Sequence, residues 1–333
     1  MIPLLMAETA GKRWRHVLPW AISIALLVYV FGWATDWQRL RAAANAAHVP
    51  AFIACAATDR IAFFIVWTLL QALALRRFVA HVPVRSVVAV RGGSELLRTI
   101  SNPLSDAAFF LGLGQLSGGR IDAVLASALV PMLCHFFVML CMMTVALPML
   151  PGGIAHNRDV AITAAILWTV LIVLNVVARL SRTHNTRFPG AAGIRAWIDR
   201  FPFSKLRPFL VGFVGLVFFD VTIQKLASEA FGVSIPWIAL AARIPVLYLA
   251  LIVPTLGNFG TRELVWAALF ADYANRDTLI AYALATNAIF LLLNLAIGLL
   301  FLPRALQLLA AVRNARREGE ALPQPLLHDP TDL

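Results

Sequence analysis

Residues 254–263 read PTLGNFGTRE and cut in two an otherwise apolar stretch that runs from about 237 to 273. Proline and glycine break a helix here, while Arg262 and Glu263 place both signs of charge at the break. Arg243 adds another charge earlier in the same stretch. The pattern therefore predicts two short helical limbs around a polar tip rather than one continuous membrane span.

A second apolar stretch, about 86 to 117, is interrupted in the same way. It contains RGGSE at 91–95, then Arg98, and then the helix breaker Asn102-Pro103. Irregular backbone at membrane depth is tolerated only where it is buried in protein or lines a wet cavity. Both tips are therefore expected to point toward a central polar site.

The composition places the chain in a membrane. Of the 333 residues, 60% are apolar and only 14% are charged, and the mean hydropathy is +0.80, whereas a soluble domain is about half apolar. In such a chain the net charge of +11 indicates cytoplasmic loops rather than nucleic-acid binding. The three cysteines are scattered in apolar stretches and predict neither a disulfide framework nor a metal site.

Six further segments have the roughly 20 mostly apolar residues that cross a bilayer. They run from about 17 to 34, 50 to 75, 121 to 148, 160 to 179, 209 to 230 and 278 to 302. The first follows a basic run, but its length and the many later spans favour an uncleaved span over a cleaved signal peptide. The predicted fold is an all-α polytopic membrane protein with six full spans and two re-entrant helical hairpins.

The basic residues report the orientation of this arrangement, because cytoplasmic loops concentrate Lys and Arg. If each hairpin returns to the side it came from, 19 of the 28 basic residues are cytoplasmic, four are outside and five lie at membrane depth. This split predicts cytoplasmic N- and C-termini in a bacterial inner membrane. The basic loop 181–207 then sets topology, with a helix lying on the inner leaflet as the alternative.

The order of the elements repeats with opposite orientation. Residues 1–150 run span, span, hairpin, span, and residues 151–305 repeat that order from the other side of the membrane. Inverted repeats whose broken segments meet near the midplane are a recurrent transporter architecture. Residues 306–333 are predicted to form a cytoplasmic interfacial helix and a disordered tail.

Five charged residues at or near the tips are the candidate substrate-binding residues. They are Arg98, Asp106, Arg243, Arg262 and Glu263. A guanidinium forms a bidentate fork with phosphate oxygens, and a half-helix that starts near residue 261 adds its positive N-terminal end. The alternative is a scaffold of internal ion pairs: Arg91 with Glu95, Arg98 with Asp106, and Glu263 with Arg262 or Arg243. The tips themselves are expected to be shaped by Asn102, Pro103, Pro254, Gly257, Asn258 and Gly260.

Other polar residues at membrane depth are assigned mainly to bonds between neighbouring helices. They are Asp59, Arg60, Asn175, Asp220, Gln224, Lys225, Glu229, Asn287 and Asn294. His135 lacks partners at metal-ligand spacing and is interpreted as a packed histidine. Whether Glu95, Asp106 or Glu263 carries protons stays open at this point.

The second tip resembles that of lysylphosphatidylglycerol synthase transmembrane regions and the related stand-alone flippase-like proteins, in which a Gly-rich tip ends in Gly-x-Arg-Glu. Gly260, Arg262 and Glu263 match that ending. The first tip matches the family's pattern at Pro103 and Asp106 but lacks its two glycines and its downstream arginine. The resemblance implies lipid handling without the aminoacyl-transfer chemistry of the synthases.

These observations together predict a flippase-like lipid transporter. It would pass a lipid with an anionic, isoprenoid-linked or glycosylated headgroup between the two tips, from one leaflet to the other. The expected partners are membrane lipids, with a homo-oligomer or lipid-synthesis proteins as further partners and no nucleic acid. The sequence has no GxSxG, HExxH or P-loop motif, so we expect no catalytic residues, metal or cofactor. Two alternatives remain, an intramembrane lipid-modifying transferase and a scaffold for envelope-lipid assembly.

The predicted topology places residue 204 on the cytoplasmic side and residue 158 outside. We expect a Ser204→Cys variant, in a chain whose own cysteines (Cys55, Cys134 and Cys141) are replaced, to react with a membrane-impermeant thiol reagent only after spheroplasts are lysed. The matched Arg158→Cys variant should react before lysis. Labelling of residue 204 from the outside would overturn the inverted arrangement.

Overall fold

The computed structural model describes residue 38 and residues 47–118, 121–183, 203–251 and 260–317. All regular structure in these ranges is helical. Several predictions fall outside them: the first span at 17–34, the tip residues Pro254, Gly257 and Asn258, most of the basic loop 181–207, and the tail after residue 317.

The helices follow the breaks that the sequence predicts. In chain order they are α1 (Val49–Phe78), α2 (Val84–Arg98), α3 (Asn102–Leu116), α4 (Ile121–Ala146), α5 (Gly153–His156), α6 (Arg158–Thr183), α7 (Phe203–Ala230), α8 (Trp237–Ala250), α9 (Thr261–Leu269) and α10 (Arg276–Arg317). A 3-10 turn, Leu147–Met149, extends α4. Each interrupted stretch thus forms a pair of short helices, α2 with α3 and α8 with α9.

Four helical segments of the described chain are long and apolar enough to cross a membrane. They are Val49–Phe78, Ile121–Met149, Ser204–Ala230 and Arg276–Asn314, and they correspond to four of the predicted spans. Ile61, Ile65 and Leu69 are 43, 48 and 46% exposed, and their spacing of four residues puts them on one face of α1. Such a face is stable against lipid tails rather than water, so the chain is a multi-pass helical membrane protein.

The break in the first interrupted stretch lies at residues 99–101, after α2 has ended. RGGSE at 91–95 is predicted to be part of the interruption, but α2 is helical through it. A glycine costs a helix only about 1 kcal/mol relative to alanine. The chain turns where Ser101 adopts extended backbone. Pro103 then enters the first turn of α3, where its missing N–H is not needed.

Helix α10 continues through Pro303 to Arg317. The sequence predicts a last span that ends at residue 302 and a separate interfacial helix from residue 306, whereas the structure joins the two in one helix. Proline removes one helical hydrogen bond and kinks a helix without always ending it. Ala305 and Val312 are buried, and Val312 packs into an apolar cluster formed with residues of α1, α2, α3 and α4. The segment after Pro303 therefore belongs to the helical body.

Helices α2 and α10 approach so closely at their crossing that Gly92 and Gly298 leave no room for a Cβ atom. A Cβ added at Gly298 would lie 2.6 Å from the Leu96 backbone nitrogen, and one added at Gly92 would lie 2.5 Å from the Phe301 ring. Small residues allow such close backbone approach in membrane helices, where van der Waals packing replaces the hydrophobic driving force. Helix α10 therefore holds α2, and with it the first tip, in place.

We expect Gly298→Ala to lower the free energy of unfolding by about 1–3 kcal/mol, because the added methyl group overlaps backbone that cannot rotate away. Gly215→Ala on α7 is the matched control, since its Cβ would meet nothing within 4 Å. The measurement is the thermal unfolding midpoint of each purified variant in detergent. Equal midpoints for the two variants would contradict the close packing of α2 on α10.

Candidate functional site

Glu95 lies at the centre of a buried ion-pair network near the end of α2. Its carboxylate contacts Arg91 Nε at 3.2 Å, Arg98 Nε at 2.8 Å, and the guanidinium of Arg60 from α1. Asp106 on α3 accepts hydrogen bonds from Arg91 Nη1 and Arg98 Nη2, both at 2.9 Å. The network joins three helices and surrounds the first break with charge.

Helical spacing accounts for most of this network. Glu95 follows Arg91 by four residues and precedes Arg98 by three, so the three side chains lie on one face of α2. The break folds α3 back so that Asp106 meets the same arginines. The predicted scaffold pairs of Arg91 with Glu95 and of Arg98 with Asp106 are both present. Three guanidinium groups against two carboxylates leave an excess of positive charge at the first tip.

A cavity of about 500 Å³ lies beside this network. Among its lining residues are Arg98, Asn102, Pro103 and Asp106 from the first tip, Arg262 from the second, and Asn287 and Asn294 from α10. Within the described ranges, the structure therefore brings residues of both predicted tips to one cavity.

The Gly-x-Arg-Glu ending of the second tip has a distinct role for each residue. Gly260 has φ +84° and ψ −53°, a conformation that strains any residue with a Cβ. Its N–H donates to Glu263 Oε2 at 2.6 Å, so Glu263 caps the start of α9. Asn287 Nδ2 lies 3.4 Å from the other oxygen of that carboxylate. Arg262 is thus left to face the cavity.

Arg262 is buried but unpaired. Its side chain makes no hydrogen bond or ion pair with any described residue, and its Nε is closed off from solvent. The residue is 9% exposed, and its Cζ lies 4.9 Å from the centroid of the Phe290 ring. The predicted scaffold pair of Arg262 with Glu263 is absent, because Glu263 caps the helix instead.

Two buried carboxyl groups lie beside Arg262. Asp59 on α1 lines the cavity, and Asp220 on α7 lies within hydrogen-bonding reach of it. Gln224 Nε2 donates to Asp220 at 2.6 Å, and the Tyr248 hydroxyl donates to it at 2.9 Å. Asp59, Asp220 and Gln224 are predicted to bond neighbouring helices, and the hydrogen bond from Tyr248 to Asp220 does join α8 to α7.

The structure does not bring Arg243 to the cavity. Its guanidinium donates to Leu269 O at 2.6 Å, and to Asn157 Oδ1 and Asp272 Oδ2 at 2.9 Å each. The ring of Tyr273 covers its Cζ at 5.5 Å. These hydrogen bonds connect α8 to the end of α9 and to the turn between α9 and α10. The ion-pair partner of Arg243 is Asp272 rather than Glu263.

Other polar residues at membrane depth lie outside the cavity. His135 is packed among Phe63, Trp67, Phe213 and Tyr248, as expected. Lys225 and Glu229 were expected to bond neighbouring helices, but they pair with each other along α7, because their four-residue spacing puts them on one exposed face. The described residues contain no group of three or more His, Cys, Asp or Glu side chains placed to hold a metal ion.

Two residues predicted to bond neighbouring helices, Asn287 and Asn294, also line the cavity. Asn287, Leu291 and Asn294 recur at intervals of four and three, which puts them on one face of α10. Two asparagines on one face of an otherwise apolar span indicate a cavity or a buried contact. Tyr248 and Phe290 also line the cavity, but nothing in their sequence context distinguishes them from ordinary packing aromatics.

The protein is thus a multi-pass helical membrane protein with a charged cavity among its broken helices. The sequence matches the family described as lysylphosphatidylglycerol synthase TM region over residues 20–298. The chain belongs to this family, as the resemblance at its second tip predicted. No curated protein sequence matches it.

Glu95→Gln is expected to lower the free energy of unfolding by about 3–5 kcal/mol, because it leaves buried guanidinium groups without their central carboxylate. Glu229→Gln is the matched control. Glu229 also pairs at a four-residue spacing, with Lys225, but the two side chains are 42 and 33% exposed, and exposed pairs contribute only about 0–1 kcal/mol. Thermal unfolding in detergent measures both, and equal losses would show that Glu95 does not hold the network.

Proposed function

We propose that this protein is a transporter that moves a lipid with an anionic or glycosylated headgroup between the leaflets of a bacterial inner membrane. The observation that carries the proposal is that both broken helical pairs contribute to one cavity, which contains the unpaired Arg262. A cation buried at membrane depth without a partner is costly. Its presence therefore points to an anionic group that enters from outside the chain.

The size and lining of the cavity support a headgroup as the ligand. Its volume of about 500 Å³ falls within the range of about 300–1,000 Å³ that small-molecule sites occupy. Arg262 offers a planar fork to a phosphate, and Asn287 and Asn294 offer amide groups to hydroxyls. The Asp106 side chain lines the cavity and is 42% exposed, which supports an entrance beside α3.

The proposed transport cycle uses the predicted inverted arrangement. In it, α2 and α3 form a hairpin that enters from the cytoplasm, and α8 and α9 form one that enters from the outside. The N-terminal apolar segment and α1, α4, α6, α7 and α10 are the six spans, which leaves both termini in the cytoplasm. The headgroup passes between the tips while the acyl chains stay in the bilayer, and the lipid crosses chemically unchanged.

Arg262→Met is expected to slow lipid movement at least about tenfold, because a hydrogen bond from a charged donor contributes about 1.5–3 kcal/mol. It should change the unfolding midpoint less than Arg243→Met does, since Arg262 makes no direct hydrogen bond or ion pair with a described residue, whereas Arg243 holds three hydrogen bonds. The measurement is the fraction of headgroup-labelled lipid that an external quencher reaches in reconstituted vesicles, followed over time.

Arg243→Met is the matched control, because it removes an equally buried arginine that holds three hydrogen bonds. It should lower the unfolding midpoint but leave lipid movement per folded molecule unchanged. If Arg262→Met moves lipid as fast as wild type, the site assignment is wrong. A covalently changed lipid in membrane extracts would favour the transferase instead, and a partner retained through purification without lipid movement would favour the scaffold.

A further inference from the structure

We infer that Asp59 and Asp220 form a proton-binding site, and that each lipid moved is accompanied by one proton taken up at this pair. The inference rests on the proposed function and adds a co-transported ion to it. Three features of the described residues support it: the contact between two buried carboxyl groups, the unpartnered Oδ1 of Asp59, and the unpaired Arg262 beside them.

The two carboxyl groups differ in their surroundings. Asp220 is completely buried, and both of its oxygens accept hydrogen bonds from neutral donors, Gln224 Nε2 at 2.6 Å and the Tyr248 hydroxyl at 2.9 Å. Asp59 is 4% exposed, and its Oδ1 has neither a described hydrogen-bond partner nor contact with solvent. The donors therefore favour the ionised form at Asp220 and leave Asp59 as the position for a proton.

Two carboxylates that touch in a buried site cannot both stay ionised. The pair therefore shares a proton, which Asp59 donates to Asp220, and it carries one negative charge. Arg262 interacts electrostatically with both carboxyl groups and balances that charge. Because Arg262 holds no direct ion pair in the described structure, it can turn to an incoming anion without breaking a contact.

The helices packed against the pair supply no described cation that could replace Arg262. Arg60, the sequence neighbour of Asp59, forms an ion pair with Glu95, and its Nε donates a hydrogen bond to Asn294 Oδ1 at 2.5 Å. The other titratable side chains around the pair are Tyr248 on α8, Tyr282 on α10 and His135 on α4. His135 contacts the ring of Tyr248 rather than either carboxyl group.

The three acidic residues that the sequence left open as proton carriers are tied to structural roles. Glu95 holds three guanidinium groups, and Asp106 accepts from two of them. Glu263 caps α9 through Gly260. Protonation of any of the three would weaken contacts that hold a helix break, whereas protonation of the Asp59–Asp220 pair breaks no described ion pair.

An anionic headgroup at Arg262 takes away the charge that balances the pair. The pair then holds a negative charge without a counterion in a site shielded from water, and uptake of a second proton neutralises it. No covalent bond changes. One phosphodiester anion and one proton enter together and leave together on the other side, so the movement is electroneutral.

Electroneutral movement has a quantitative consequence. At equilibrium, the leaflet ratio of a lipid with one negative charge follows the pH difference across the membrane, by about tenfold per pH unit. The ratio does not respond to a membrane potential. A transporter of the anion alone gives the reverse result, a response to the potential and none to the pH difference.

Infrared spectroscopy of the purified full chain tests the proton site without any lipid substrate. We expect wild-type protein at neutral pH to show the carbonyl stretch of a protonated carboxyl group, and Asp59→Asn and Asp220→Asn each to lose it. Asp122→Asn, at an exposed position in the first turn of α4, is the matched control and should keep the band. Absence of the band from wild type, or its survival in Asp59→Asn, overturns the inference.

Reconstituted vesicles test the coupling. The full chain is placed in phosphatidylcholine vesicles that contain a minor fraction of phosphatidylglycerol, and external periodate reports the glycerol headgroups of the outer leaflet. One set receives a pH difference and the other a potassium diffusion potential. We expect the ratio to shift about tenfold per pH unit in wild type and Asp122→Asn, with no shift under the potential. Asp59→Asn should lose the pH response.

The vesicle measurement separates a failure of proton coupling from a failure of lipid transport. A wild-type ratio that follows the potential and ignores the pH difference overturns proton coupling and leaves the transport function standing. No protein-dependent movement under either condition, in wild type that keeps its infrared band, overturns the transport function and the coupling together. In that case only the proton-binding site survives.

Discussion

A charge at membrane depth has to be balanced inside the protein, because neither lipid nor bulk water is there to solvate it. At the first tip Glu95 meets this requirement by contacting arginines from two helices, and the same contacts hold the broken helix together. At the second tip Glu263 caps α9, so Arg262 keeps its charge without a partner in the described structure. The two tips therefore differ in how their charge is held: the arginines of the first are ion-paired to carboxylates, whereas Arg262 at the second makes no direct ion pair with a described residue.

Local patterns in the sequence were sufficient to predict the helix breaks and the ion pairs within α2. Both depend on residues a few positions apart, as Glu95 does on Arg91 and Arg98. The same reasoning could not show that α2 is helical through its glycines, because only the approach of α10 explains why small residues lie there. A glycine that breaks a helix and a glycine that admits a neighbour look alike in one sequence.

Contacts between spans that are distant in sequence could not be predicted, for a different reason. Hydropathy gives the length of a span but not its rotation about its axis, so it does not tell which polar residues meet. Asp59 and Asp220 come from different spans, and nothing near either one indicates the other. Arg243 is close to the second tip in sequence, but the direction of α8 carries it to Asn157 and Asp272 instead.

The crossing of α2 and α10 also sets the position of one wall of the cavity. With Gly298 against the Leu96 backbone, the first tip and the asparagine face of α10 form one solid wall. Tyr248 on α8 and Arg262 on α9 line the cavity as well. Because neither Gly298 nor Leu96 lines the cavity, the position of Arg98 in its wall is set by a helix contact that lies outside the cavity.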